Sequence, residues 1–148
     1  MERIILTEKN FSRLKEFVKK AKGKEIIFSS QDDELNRKVL EKLQVHILLI
    51  PLRNRKDFMK QRDSGFNGVM AKIAKKMGIK IGVGLDELIN TSSPEKEKII
   101  ARVRQNIRLC SRNKVGMVFV EGKEKRNSVL LKSLGLVLGM PTWMTKGL

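Results

Sequence analysis

Phe66-Asn67-Gly68-Val69-Met70-Ala71-Lys72-Ile73-Ala74-Lys75-Lys76-Met77, then Gly78, then Ile79-Lys80-Ile81-Gly82-Val83, reads as a helix, a stop and a strand. Phe66, Val69, Met70, Ile73 and Met77 recur at the three- and four-residue steps that line one helix face, and Gly78 ends the pattern. Upstream lies His46-Ile47-Leu48-Leu49-Ile50, an apolar run stopped by Pro51. Its apolar residues are continuous rather than alternating, which predicts a strand covered on both faces, as parallel strands in α/β proteins are. Strand, helix and strand in this order make a right-handed parallel crossover.

The same alternation extends outward. Residues 3–6 form a short β-rich run, and Asn10 caps a helix in which Phe11, Leu14, Phe17, Val18 and Ala21 recur until Gly23. Residues 24–29 read as the second strand. Asp32 and Asp33 suit the positive end of the next helix, whose buried stripe is Leu35, Val39, Leu40 and Leu43. Downstream, Gly82-Val83-Gly84 reads as a tight turn, because Glu87 stands where a dinucleotide fingerprint would require a third glycine. A helical turn at 86–89 follows. Thr91-Ser92-Ser93-Pro94-Glu95 then signals a helix start with proline at the first position, opening the longest helix, which runs to Asn113. Residues 115–120 form the fifth strand and Glu121-Gly122 a turn. Asn127 or Ser128 caps a last helix with Val129, Leu130, Leu134, Val137 and Leu138, finished by Gly139 and Pro141 and leaving a short tail.

Strands alternating with helices predict an α/β fold of βα units with a parallel sheet. A closed eight-fold barrel typically takes about 250 residues, and the sequence has 148. The expectation is therefore a single α/β domain over 1–148, barrel-like but incomplete or reduced. No internal repeat or linker divides it; residues 90–94 form a loop.

Charge narrows the function classes. Lys and Arg number 32 against 16 Asp and Glu, a formal charge of +16, with a pI near 10.3. Such an excess raises self-repulsion and predicts a polyanionic partner, nucleic acid first. One cysteine, Cys110, excludes a disulfide framework, and no apolar run approaches 18 residues, so the expected setting is cytoplasmic with no membrane contact.

Two features say where the positive charge is used. A βα connection needs only about two to six residues, whereas 51–65 spends fifteen and carries Arg53, Arg55, Lys56, Lys60 and Arg62. Loops on a rigid frame are where binding residues concentrate. In the long helix, Ile99, Ile100, Val103, Ile107 and Cys110 share one sector, while Arg104, Arg108 and Arg112 step by four along a ridge outside it. Arginine's planar fork suits bidentate phosphate contact, and few acids stand nearby. Lys72, Lys75 and Lys76 say less, since lysine is the ordinary surface residue.

Catalytic constellations are scarce. Ser64 between Asp63 and Gly65 has no histidine near it in sequence, and a serine nucleophile needs a base. Asp63-Ser64 reads instead as a helix cap, with Asn67 adding a local hydrogen bond. One histidine, His46, and one cysteine cannot make a zinc site. No Tyr, one Trp and six Phe mostly at core spacings argue against stacking of splayed bases and for gripping the backbone of folded RNA.

Three segments together carry a resemblance: Lys60-Gln61-Arg62-Asp63-Ser64-Gly65-Phe66-Asn67, Ala71-Lys72-Ile73-Ala74-Lys75-Lys76, and Ala101-Arg102-Val103-Arg104-Gln105-Asn106-Ile107-Arg108-Leu109-Cys110. With Lys125-Arg126-Asn127-Ser128, Leu134-Gly135 and Leu138-Gly139-Met140, the sequence over 57–140 resembles the ribonuclease P protein component 3 family of archaea and eukaryotes, as a short member. Residues 1–50 carry no motif of that family. The resemblance implies a TIM-barrel-like fold and a place in a ribonucleoprotein endonuclease, a hydrolase that removes the 5′ leader from precursor tRNA. It implies as partners the catalytic ribonuclease P RNA, a small ferredoxin-like protein subunit and the other ribonuclease P proteins. The RNA then carries the catalytic site with magnesium ions, and the chain itself binds no cofactor or metal and supplies no catalytic side chain. Lys60, Arg62, Arg102, Arg104, Arg108, Arg112 and Arg126 are the expected phosphate contacts, Arg62, Arg104, Arg108 and Arg126 foremost. Asp63, Ser64, Gly65 and Asn67 are expected to shape the loop and cap the helix. The alternatives are a non-enzymatic RNA-binding protein of another ribonucleoprotein and a metal-dependent phosphoesterase barrel, which would need several histidines.

Overall fold

The computed structural model describes residues 2–60, 62–122 and 125–148. In chain order its elements are β1 (Arg3–Leu6), α1 (Phe11–Lys20), β2 (Glu25–Ser29), α2 (Asp33–Lys42), β3 (Ile47–Leu49), α3 (Gly68–Met77), β4 (Lys80–Gly84), α4 (Leu85–Asn90), α5 (Glu95–Arg112), β5 (Met117–Val120), α6 (Ser128–Leu138) and α7 (Thr142–Thr145). The strands pair in sequence order, β1-β2-β3-β4-β5, each parallel to the next. Every step moves the same way across the sheet, so right-handed crossovers place the intervening helices on one face. The sheet does not close on itself, as expected for a reduced barrel.

Alternate strand residues point to the helices. Ile26, Phe28, Leu48, Ile81, Val83, Met117 and Phe119 join Leu14, Val39, Leu40, Ala71, Ala74, Val103 and Ile107 in the main core. The other face of the sheet carries a separate small cluster, Ile27, Ile47 and Val120, with Leu49 and Val118 packed against it. The continuous apolar run of β3 is thus buried on both sides, but its second side is covered by neighbouring strands rather than by helices. Gly82 shows how close that covering is. A Cβ there would lie 2.9 Å from Ile47 Cγ2 and 3.0 Å from Val120 Cγ2. Side chains of β3 and β5 meet over the glycine of β4, so Gly82-Val83-Gly84 is strand and not the tight turn expected from its composition.

Helix starts follow local chemistry with two shifts. Asn10, Asp32 and Asn127 cap their helices, accepting from Arg13 N at 3.2 Å, Glu34 N at 3.0 Å and Val129 N at 2.7 Å. Ahead of α3 the cap is Asn67, whose Oδ1 accepts from Met70 N at 2.9 Å. The Asp63-Ser64 pair is not the cap, because the left-handed turn at Gly65 separates it from the helix. In α5, Pro94 itself occupies the capping position and no side chain caps it. The tail also departs from expectation: it forms α7, with Met144 and Thr145 buried. Nor is α6 apolar only toward the core. Leu131, Gly135 and Leu138 face inward, while Val129, Leu130, Leu136 and Val137 are exposed.

Candidate nucleic-acid interface

The long connection after β3 leaves the carboxyl end of the sheet and is built like a small domain of its own. A loop without regular structure must still satisfy its backbone polar groups, and here side chains do so from every side. Arg102 of α5, with no exposed surface, donates to Leu52 O and Arg55 O, both at 2.8 Å, and to Asp57 Oδ1 at 3.2 Å. Its Nη1 also lies 3.5 Å from Glu95 Oε1. Arg55 turns inward, donating to Pro51 O at 2.7 Å, to both oxygens of Asp33 at 2.9 and 3.0 Å, and to Asp63 at 3.3 Å. Carboxylates take the loop N–H groups. Glu87 accepts from Leu52 and Arg53 at 2.9 and 2.6 Å, Glu95 from Asn54 at 3.1 Å, and Asp57 from Asp63 at 2.9 Å.

The Asp63-Ser64-Gly65 corner completes the brace. Asp63 accepts from Gly65 N at 3.1 Å, and Ser64, 2% exposed, donates to Phe66 O at 3.2 Å. Gly65 has φ +69°, and a Cβ there would fall 2.5 Å from the Arg55 guanidinium. Gln105 of α5 donates to Ser64 Oγ at 3.2 Å and Arg62 O at 3.1 Å, tying the loop to the long helix.

These contacts set the charges. Burial pushes the Asp57 carboxyl up, yet the Asp63 N–H, Arg102 and Arg62 together hold it below its ordinary value. Burial works against the Arg55 charge, and Asp33 followed by Asp63 outweigh it, so its pKa lies above the ordinary one. For Glu87 burial wins over the two loop N–H groups, and its carboxyl is raised. The internal carboxylates are thus spent on internal donors, and the cations that face outward keep their field.

The expected contact residues divide accordingly. Lys60, Arg62, Arg104, Arg108, Arg112 and Arg126 are exposed. Among the described residues Arg104, Arg108 and Arg112 form no ion pair, so the ladder along α5 faces solvent with its charge uncompensated. Gln105, hydrogen-bonded to Arg62 O, lies beside Arg108 one turn on, so loop and ladder share one surface. Arg62 is a weaker donor to outside partners, since its Nη1 is 3.6 Å from Asp57 Oδ2. Arg126, on the loop after β5, donates its N–H to Glu121. Arg102 is the correction. Its guanidinium is locked to internal oxygens, so it braces the loop and offers nothing to a phosphate. Asn67 caps α3, whereas Asp63, Ser64 and Gly65 bond within the loop and do not cap the helix; Gln61 lies outside the described residues.

Sequence reasoning counted Arg55 among the loop's binding cations and gave no role to Asp57, Glu87 or Gln105, yet all four hold the frame. The one available signal was the pairing of basic and acidic residues within 53–63. It also placed the six Phe mostly at core spacings and gave Phe58 no role; Phe58 is 71% exposed. His46 accepts from Ile26 N at 2.9 Å. Burial pushes the Cys110 thiol up to about 12. Among the described residues no three His, Cys, Asp or Glu side chains converge as a metal site, and no helix is long and apolar enough to cross a membrane.

Fold and surface together define an open parallel α/β protein with a braced basic loop at the carboxyl ends of its strands. No family model matches the chain. Two curated proteins, each named Ribonuclease P protein component 3, are similar to it. That of Methanosarcina acetivorans is 28% identical over 117 residues, 78% of this chain and 46% of that protein. That of Methanococcus maripaludis is 24% identical over 119 residues, 79% of this chain and 49% of that protein. The resemblance read from the motifs is borne out, and the chain spans about half the length of the curated relatives it matches. A chain in a solved structure, described as a cryo-EM structure of archaeal Ribonuclease P with mature tRNA, superposes with a TM-score of 0.78 at 23% identity, covering 97% of this chain and 62% of that one. That match shows the fold.

Proposed function

We propose that this chain acts as a protein subunit of ribonuclease P, binding the catalytic RNA in the complex that removes 5′ leaders from precursor tRNA. The observation that carries the reading is the unpaired arginine ladder, Arg104, Arg108 and Arg112, beside the braced loop, in a chain similar to curated ribonuclease P proteins. Exposed arginines without carboxylate partners meet phosphates at little desolvation cost, and each contact releases counterions. Arg62, Lys60 and Arg126 extend that surface to the carboxyl ends of the strands. The chain contributes cations and structure and holds no cofactor of its own. Magnesium serves the RNA, where it stabilises attacking and leaving oxygens. A small ferredoxin-like protein and the other ribonuclease P proteins are its proposed companions, precursor tRNA the substrate of the complex, and the cytoplasm its place.

The test is cleavage of a precursor tRNA by reconstituted RNA and protein subunits, with and without this chain, at fixed salt and limiting magnesium. Stimulation by the chain supports the role. No effect, with the remaining subunits competent, transfers the basic surface to an RNA-binding protein of another ribonucleoprotein.

A further inference from the structure

The braced loop ends in a tip that none of its internal bonds explains. Asp57 and Asp63 close it: Asp57 Oδ1 accepts from the Asp63 N–H at 2.9 Å and from Arg102, Asp57 Oδ2 faces Arg62, and Asp63 Oδ1 accepts from Arg55. What the tip shows to solvent is Phe58, 71% exposed, and Met59, 103% exposed, between Lys56 and Lys60. Phe58 is the most exposed aromatic among the described residues. It stands at the rim of a groove of about 440 Å³ that Phe66 and Met70 line and that Arg62 and Glu34 also border.

An aromatic held in water on a braced loop, with Lys56, Lys60 and Arg62 close to it in the chain, matches what single-stranded nucleic acid requires. A base has a flat face for the ring and a phosphate on either side for the cations. Lys56, Lys60 and Arg62 beside the tip favour a polyanion over an apolar protein helix, and of the carboxylates on the groove Asp33 and Asp63 are taken up by Arg55. We propose that Phe58 and Met59, held out by the loop beside this groove, form a stacking site for an unpaired nucleobase of the bound RNA, with Lys56, Lys60 and Arg62 on its flanking phosphates. Glu34 at the groove edge offers an acceptor to an exocyclic amino group. The proposal rests on the RNA-binding reading above and goes beyond it by adding a stacking contact to the phosphate grip.

The experiment compares the full chain's affinity for two synthetic RNAs, a hairpin with an unpaired loop and a blunt duplex with the same number of phosphates. Phe58→Ala is expected to weaken hairpin binding about tenfold, in the range measured for one stacked base, and to leave duplex binding and its salt dependence unchanged. A second variant, Phe58→Trp in a Trp143→Phe background, reports stacking directly: its emission is expected to be quenched by the hairpin and not by the duplex. Equal hairpin affinity for Phe58→Ala and the parent, with no quenching, overturns the stacking site while RNA binding stands. Intact hairpin binding by Phe58→Ala together with failure to join the other protein subunits also overturns it, assigning the tip to a protein contact. Absence of binding to either RNA by the parent chain overturns the RNA-binding reading and this site with it.

Discussion

Arg102 and Asp57 stand 45 residues apart in the chain and 3.2 Å apart in the fold, Nη2 to Oδ1. That contact joins the loop after β3 to the long helix α5 and makes a fifteen-residue connection part of the rigid body. A binding surface whose cations sit on such a frame loses little conformational entropy when it meets its partner. The side of α5 that each arginine occupies thus decides its surroundings: Arg102 braces the loop, while Arg104, Arg108 and Arg112 face solvent.

Replacing Arg102 by Ala leaves Asp57 and Glu95 without their buried cation and the carbonyls of Leu52 and Arg55 without a donor. Removing one member of a buried ion pair costs about 3–5 kcal/mol. Denaturant unfolding should show a loss of that order. Arg102→Lys should recover only part of it, because an ammonium cannot reach both carbonyls and the carboxylate as a planar fork does.

Acid should act through Asp57. Its folded carboxyl lies below the ordinary value of 3.8, despite burial, because of the Asp63 N–H, Arg102 and Arg62. Its contribution to stability is fully present above 3.8 and is lost as pH falls through the lower folded value. Asp57→Asn should flatten the acid limb of a stability-versus-pH curve in that window. An acid limb identical in the two proteins would remove Asp57 from the account.

Most of the strand and helix order was legible, because apolar periodicity and caps such as Asn10, Asp32 and Asn127 act locally. The arginine ladder was legible for the same reason: a four-residue step fixes a helix face before any tertiary contact exists. What stayed hidden depends on partners distant in sequence. Arg102 and Arg104 carry identical chemistry two positions apart, and only the loop packed over α5 buries one and spares the other. Gly82 looked like a turn residue because the approach of Ile47 and Val120 over it comes from neighbouring strands. Nothing in the sequence neighbourhood of Phe58 says that the loop backbone holds it outward.

Arg104 and Arg108 are exposed and form no ion pair among the described residues. Their joint replacement by Ala should leave stability within about 0.5 kcal/mol, as surface changes do, and should weaken RNA binding. Each lost phosphate contact lowers the slope of log affinity against log salt by about 0.9 on duplex-like sites. A salt titration with an unchanged slope would take the ladder out of the interface.

Gly65 and Gly78 separate backbone strain from crowding. Both have φ +69°, so Ala at either position must adopt the left-handed region that costs an L residue about 1–2 kcal/mol. At Gly78 a Cβ meets nothing within 4 Å, whereas at Gly65 it falls 2.5 Å from Arg55 Nη2 and 2.7 Å from Arg55 Cζ. Gly78→Ala should therefore cost the backbone term alone. Gly65→Ala must in addition push the Arg55 guanidinium off Asp33 and Asp63, loosening the loop that carries Lys60 and Arg62. Thermal unfolding of the two variants should show the larger loss for Gly65→Ala, and hydrogen exchange should show it as weakened protection of the loop N–H groups of Leu52, Arg53 and Asp63. Equal losses, with loop protection unchanged, would mean that Arg55 finds another seat and that the loop does not depend on it.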